Sequence, residues 1–276
     1  MIDITSLEFS YGNNTVLQNI SMKLEEGRIY GLLGENGVGK TTLLTLLAGL
    51  KKPQKGSIVR DGMLPFDRKV AFLEDQYYLP DEVEPLDITA RKFASSRGGF
   101  WPRFSMERFL TIMQEFETDP DAKLSKMSSG QLKKTYISFA LATEAGYLFL
   151  DEPTNGLDIP SKSQFRSAIM KYTREDATIV ISTHQVRDLE NIIDPIVILD
   201  RRDVLLNATI EEISSHLFFD YGNIINPDSL FSEKVPGGFV QVYPNVTGEE
   251  TKVNIEALFN AVHSHKDLVK AMFSSK

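Results

Sequence analysis

The sequence has 276 residues, 42% hydrophobic and 25% charged, which suits a folded protein with a sizeable core. Its net charge of -8 argues against general nucleic-acid binding, which needs clustered Lys and Arg, and the lack of cysteine excludes disulfides, thiolate zinc sites and cysteine nucleophiles. No run approaches the roughly 18 apolar residues of a membrane span, and Met1-Ile2-Asp3-Ile4 does not open a signal peptide, so any membrane role is expected to come through a partner.

Along the chain, residues 2–30 alternate short apolar runs with turn residues, which predicts strands on either side of Gly12-Asn13-Asn14. Residues 29–33 read as a buried strand running into a loop over 34–39. Residues 41–50 are apolar nearly all round, as in a buried helix, and Gly49, Lys51-Lys52 and Pro53 stop it. Residues 86–117 read as mostly helical, broken near Gly98-Gly99 and Pro102. A helix over 130–145 leads to a strand over 147–150, and another helix follows Pro160 near 161–173. Residues 178–182 and 195–199 complete an alternation of strands and helices, which predicts an α/β fold with a largely parallel sheet covered on both faces. From about Leu217 the pattern changes. Residues 239–243 look like a strand, and Asn254 is placed to cap a helix carrying Ile255, Leu258, Phe259 and Val262 on one face.

The loop Gly34-Glu35-Asn36-Gly37-Val38-Gly39-Lys40-Thr41 fits the pattern G-x-x-x-x-G-K-[ST]. Its glycines let backbone N–H groups turn toward a phosphate chain, and the following helix adds its positive end. Lys40 is expected to reach the β- and γ-phosphates and Thr41 to ligate magnesium. The bland reading, a glycine-rich surface turn, is disfavoured by the strand–loop–helix context. The loop alone leaves kinase, GTPase and ATPase open, although no Asn-Lys-x-Asp guanine-reading motif is present. Further on, Leu148-Phe149-Leu150-Asp151-Glu152-Pro153 is an apolar strand ending in paired carboxylates. Asp151 at such a tip can hold magnesium, and Glu152 can orient or deprotonate an attacking water.

Between these motifs stands Met127-Ser128-Ser129-Gly130-Gln131, which resembles the Leu-Ser-Gly-Gly-Gln signature of the ABC (ATP-binding cassette) ATPases, with Met127 for leucine and Ser129 for the first glycine. Three single residues fit the same family in order, each ordinary alone. Gln76 resembles a loop glutamine that touches magnesium, His184 a switch histidine near the γ-phosphate, and Tyr11 an aromatic that stacks on adenine. The resemblance covers roughly residues 1–215. It implies a P-loop NTPase sheet with an N-terminal antiparallel β subdomain, a helical signature subdomain at about 86–145, an ATPase domain over 1–216 and a small α/β appendage of unread role over 217–276. It implies ATP and Mg2+ as cofactors. Tyr11, Gly34, Asn36, Gly37, Gly39, Lys40, Thr41 and Thr42 would hold nucleotide in cis. Ser128, Gly130 and Gln131 of a second ATPase subunit would close on it in trans. Thr41, Gln76 and Asp151 would meet the metal, and Glu152, His184, Lys40 and Gln76 would serve catalysis. The partners implied are that second subunit and a separate membrane-spanning subunit of a transporter, with compact exporter ATPases the nearest likeness, at the inner face of the cell membrane. A soluble ABC ATPase, such as an iron–sulfur assembly type, is the alternative.

Overall fold

The computed structural model describes residues 1–200 and 203–273. The chain opens with β1 (Ile2–Tyr11) and β2 (Asn14–Leu24), an antiparallel hairpin turned at Gly12-Asn13. Gly12 has φ +58°, a left-handed conformation that glycine adopts without a Cβ penalty. Then come β3 (Ile29–Leu33), α1 (Lys40–Leu47) and β4 (Lys55–Arg60). Strand β4 joins the hairpin, giving a three-stranded antiparallel sheet in the order β2-β1-β4.

A short α2 (Val70–Glu74) precedes β5 (Gln76–Leu79). The helical region follows as α3 (Ala90–Arg97), α4 (Met106–Glu115) and α5 (Ser129–Ala142), each begun by a Thr or Ser whose hydroxyl accepts a backbone N–H. Phe139 of α5 holds these helices together: the rings of Phe93, Trp101, Phe104 and Phe109 lie 4.9–6.4 Å from its own. Phe100 lies edge-on to Trp101, 6.5 Å between ring centres, and is 70% exposed.

The chain returns through β6 (Tyr147–Asp151), α6 (Ile159–Tyr172), β7 (Thr178–Thr183), β8 (Ile196–Asp200) and β9 (Asp203–Ala208). These strands build the central sheet, in the order β5-β6-β7-β3-β8-β9, parallel except for β9. Strand side chains alternate between its faces. Tyr147, Phe149, Val180 and Val197 pack with α1 and the antiparallel sheet. Leu148, Leu150, Ile179, Ile181 and Ile196 pack with the helical region on the other face. Burial on both faces explains why these strands read as continuous apolar runs.

Helix α7 (Ile210–His216) leads to a third sheet of β10 (Leu217–Gly222), β11 (Phe231–Val235) and β12 (Gly238–Pro244), in the order β10-β12-β11. The described chain finishes with α8 (Ile255–Ser264), capped by the Asn254 side chain, and α9 (Lys266–Phe273). Leu217, Val242, Leu258, Val262 and Val269 are fully buried in the same apolar cluster as the helical side of the central sheet. The last three residues of the expected appendage, 274–276, lie outside the described residues.

Candidate active site

Strand register gathers the site. Leu33 pairs with Thr183, Asp151 with Ser182, and Leu79 with Leu150, so the residues that follow leave the sheet at one edge. There the loop after β3 turns into α1, with Gly37 and Gly39 at φ +76° and +114°. A Cβ on Gly39 would also lie 2.7 Å from the Leu17 side chain, so no larger residue fits without movement.

This edge holds a cleft of about 480 Å³. Asn36, Gly37, Gly39, Lys40, Thr41 and Thr42 form its floor, Tyr11 and Val16 one wall, and Asp81, Glu152 and His184 the other. Tyr11 is half exposed, packs edge-on against Phe9, and its hydroxyl lies 3.4 Å from Thr42 Oγ1. Gly34 sits under the loop, in the adjoining cavity with Asn36 and His184. Lys40 is buried; its Nζ donates to the Gly34 carbonyl at 2.8 Å and the Glu35 carbonyl at 3.2 Å, and lies 4.0 Å from Glu152 Oε1. Burial pulls its pKa down, while the charges of Glu152 and Asp151 oppose that shift.

The carboxylates are held by their neighbours. Asp151 is buried and accepts 2.5 Å from the Ser182 hydroxyl. Glu152 takes φ +44°, a strained conformation for a side chain with a Cβ, costing of order 1–3 kcal/mol. Its N–H donates to both the carbonyl and the hydroxyl of Ser182, at 3.1 Å each, which fixes the turn. Its Oε2 lies 2.9 Å from His184 Nδ1 and accepts the His184 backbone N–H at 3.3 Å. Carboxylate, imidazole and lysine thus converge in the cleft whose floor is the segment 36–42, an arrangement suited to phosphoryl chemistry.

Gln76 does not join them. It opens β5 beside Tyr147, four residues before the level of Asp151 and so roughly 13 Å away along the strands. Its amide donates to the Ala48 carbonyl at 2.8 Å and its oxygen accepts from Arg60 Nη1 at 3.1 Å, so a buried cation and a helix end use up its side chain. The expected metal and catalytic roles of Gln76 are corrected on this geometry. The residue that this segment delivers to the cleft is Asp81. Its signal lies in the sequence: Leu79-Pro80-Asp81 ends a strand, and Pro80 stops the strand pairing just before the side chain.

Ser128, Gly130 and Gln131 stand at the start of α5 and do not line the cleft of their own chain. Ser128 and Gln131 cap each other: the serine hydroxyl accepts the Gln131 N–H, and the Gln131 side-chain oxygen accepts the Ser128 N–H. Ser129 is the first helical residue and has no positive φ, so the position does not need glycine.

The donor set fits magnesium of a particular kind. No cluster of three or more His or carboxylates that could hold an ion exists among the described residues. Thr41 and Asp151 supply oxygen ligands of the hard type, and Mg2+ normally takes one or two protein ligands together with phosphate and water.

Comparison with known proteins identifies the family. The family model described as ABC transporter matches residues 17–155. The peptide export ATP-binding protein SkfE of Bacillus subtilis (strain 168) is 30% identical over 207 residues, 72% of this chain and 85% of that one. The cobalt import ATP-binding protein CbiO of Salmonella typhimurium (strain LT2) is 29% identical over 226 residues, 77% of this chain and 82% of its own. A dimeric ATP-binding cassette solved in a post-hydrolysis state with ADP and Pi superposes at a TM-score of 0.66 with 22% identity, over 76% of this chain and 98% of that one.

Proposed function

The chain belongs to the ABC transporter family as one of its ATP-hydrolysing cassettes, and on that premise we propose that it powers a separate membrane-spanning subunit by closing and opening as a dimer around ATP. No helix among the described residues is long and apolar enough to cross a membrane, which supports a borrowed membrane part. We place the protein on the inner face of the membrane, held by that partner. We propose export as the direction, following the peptide-export relative, while the cobalt-import relative keeps direction a matter for experiment. Relatives named for transport give no support to the alternative of a cassette uncoupled from it.

The observation that carries the reading is the convergence of Lys40, Glu152 and His184 in the cleft lined by the glycine-rich loop. Lys40 gives up its carbonyl partners to meet the β- and γ-phosphates. Glu152, oriented by His184, takes a proton from the attacking water as that water's oxygen bonds the γ-phosphorus. The bond from that phosphorus to the β–γ bridging oxygen breaks, the electron pair stays on the oxygen, and ADP and inorganic phosphate result. Magnesium, held by Thr41 and Asp151, would supply neutralising charge to the phosphate oxygens. Tyr11 offers a face for adenine. Ser128 and Gly130 of a second copy would complete the site from the opposite side, since within one chain they do not line it.

Lys40→Ala tests this. It removes the cation that answers the phosphates, and ATP turnover is expected to disappear while the circular dichroism and melting profile stay close to the parent's. A folded Lys40→Ala protein that turns over ATP at the parent rate overturns the assignment.

A further inference from the structure

Lys133 is a buried cation that the mechanism above does not use. It lies one turn into α5, with its side chain only 5% exposed, and its Nζ donates to the backbone carbonyl of Asp81 and, at 3.3 Å, to Asp81 Oδ1. Asn155, just beyond the paired carboxylates, donates to the same Asp81 carboxylate at 3.2 and 3.4 Å. Asp81 is 40% exposed and lines two clefts: the nucleotide cleft with Lys40 and Glu152, and a shallow one beside Ser129, Lys133, Asn155 and Gly156. It therefore forms part of the wall between the phosphate loop and the start of α5. Burial pulls the Lys133 pKa down, and the charges of Asp81, Asp151 and Glu152 all oppose that, so this ammonium feels the same carboxylates as Lys40.

A carboxylate facing a triphosphate is repelled unless a cation answers it. We propose that Asp81 and Lys133 form a positioning pair, in which Lys133 neutralises Asp81 against the nucleotide and thereby ties occupation of the cleft to the position of α5, the helix that carries the signature. The proposal rests on the ATPase reading above and deepens it. Asp81 and Lys133 act through placement of charge and of a helix, not by touching the reacting water.

The protein carries its own reporter. Trp101 is its single tryptophan. Its indole Nε1 donates to the Gln76 carbonyl at the root of β5, and its ring lies 5.4 Å from Tyr77 of β5 and 5.5 Å from Phe139 of α5. A shift of α5 against β5 changes that ring's surroundings and so its fluorescence. The experiment measures affinity with a fluorescent ATP analogue and Mg2+, and follows Trp101 emission in the same titrations, for the parent, Asp81→Asn, Lys133→Met and the double variant. Lys133→Met is expected to weaken Mg-nucleotide binding about tenfold, or about 1.4 kcal/mol, because the Asp81 charge stands unanswered. The double variant is expected to recover affinity to within about threefold of the parent, yet lose the Trp101 response, the non-additivity that marks coupled residues. Should Lys133→Met fail to fold, Asp81→Asn alone is expected to lose the Trp101 response on nucleotide binding. Additive losses in the double variant, a full Trp101 response in Asp81→Asn, or a parent that binds nucleotide with Trp101 silent would each overturn the pair. A parent that binds no nucleotide would instead sink the ATPase reading itself.

Discussion

At Glu152 a strained backbone coincides with the proposed chemistry. Its left-handed backbone is held by Ser182, and its carboxylate spans His184 and Lys40. Glu152→Gln keeps the shape and the hydrogen-bonding reach, so the site should assemble. The amide cannot accept a proton, and hydrolysis is expected to fall by about 10²–10⁴-fold. The change also removes a negative charge beside the γ-phosphate, which favours the ATP-bound closed form. Size-exclusion chromatography should then show a dimer with Mg-ATP and a monomer without it. A monomer in both conditions, with ATP bound, would point to pairing with a different cassette. Parent-like hydrolysis would remove Glu152 from the role of proton acceptor.

Element scale decides the fate of Gln76. The guanidinium of Arg60, at the end of β4, is buried between the rings of Phe72 and Tyr147, at 3.4 and 4.4 Å, and it donates to Gln76 as β5 begins. Gln76→Ala strands both Arg60 Nη1 and the Ala48 carbonyl, which should cost about 1–3 kcal/mol of stability. Thermal unfolding should report that loss, while the KM for ATP stays within about twofold, since ΔΔG at a residue outside the cleft does not enter binding. A raised KM with an unchanged melting temperature would return Gln76 to the nucleotide. The same locality explains what was legible. The parallel strands could be read because burial on both faces makes them uniformly apolar, and the phosphate loop because its glycines carry the backbone geometry. Strand β5 could not: Gln76-Tyr77-Tyr78-Leu79 is four residues of mixed polarity, and its direction and register are set by pairing with β6. Without that register, the glutamine at the strand's start looks like the ligand, and the aspartate past its end is overlooked. Strands β4 and β9 escape for a related reason, since each lies at a sheet edge and exposes part of its length.

At the scale of the whole molecule, the appendage shares one core with the central sheet yet adds a wall beside the site. Helix α8 places Glu256, Phe259 and Asn260 across a cavity of about 640 Å³ from Glu35, Asn36 and His184. Arg187, three residues past His184, is bound to Glu256 at 2.5 Å, but both groups are exposed and such pairs contribute little. The larger tie is apolar. Removing residues 217–276 would take Leu217, Val242, Leu258, Val262 and Val269 out of the apolar cluster that also buries Leu189, Leu205 and Ile213. Exposed area of that kind destabilises at about 25 cal/mol per Å², so the truncated chain should melt well below the parent. Every residue lining the cleft around Lys40 precedes the cut, so nucleotide binding should survive at low temperature. Isothermal titration of the folded fraction at 10 °C, beside a melting curve, separates the two effects. If the truncated chain is folded and binds no ATP, α8 belongs to the nucleotide site, and the ATPase unit extends past Leu217 to the helix that faces His184.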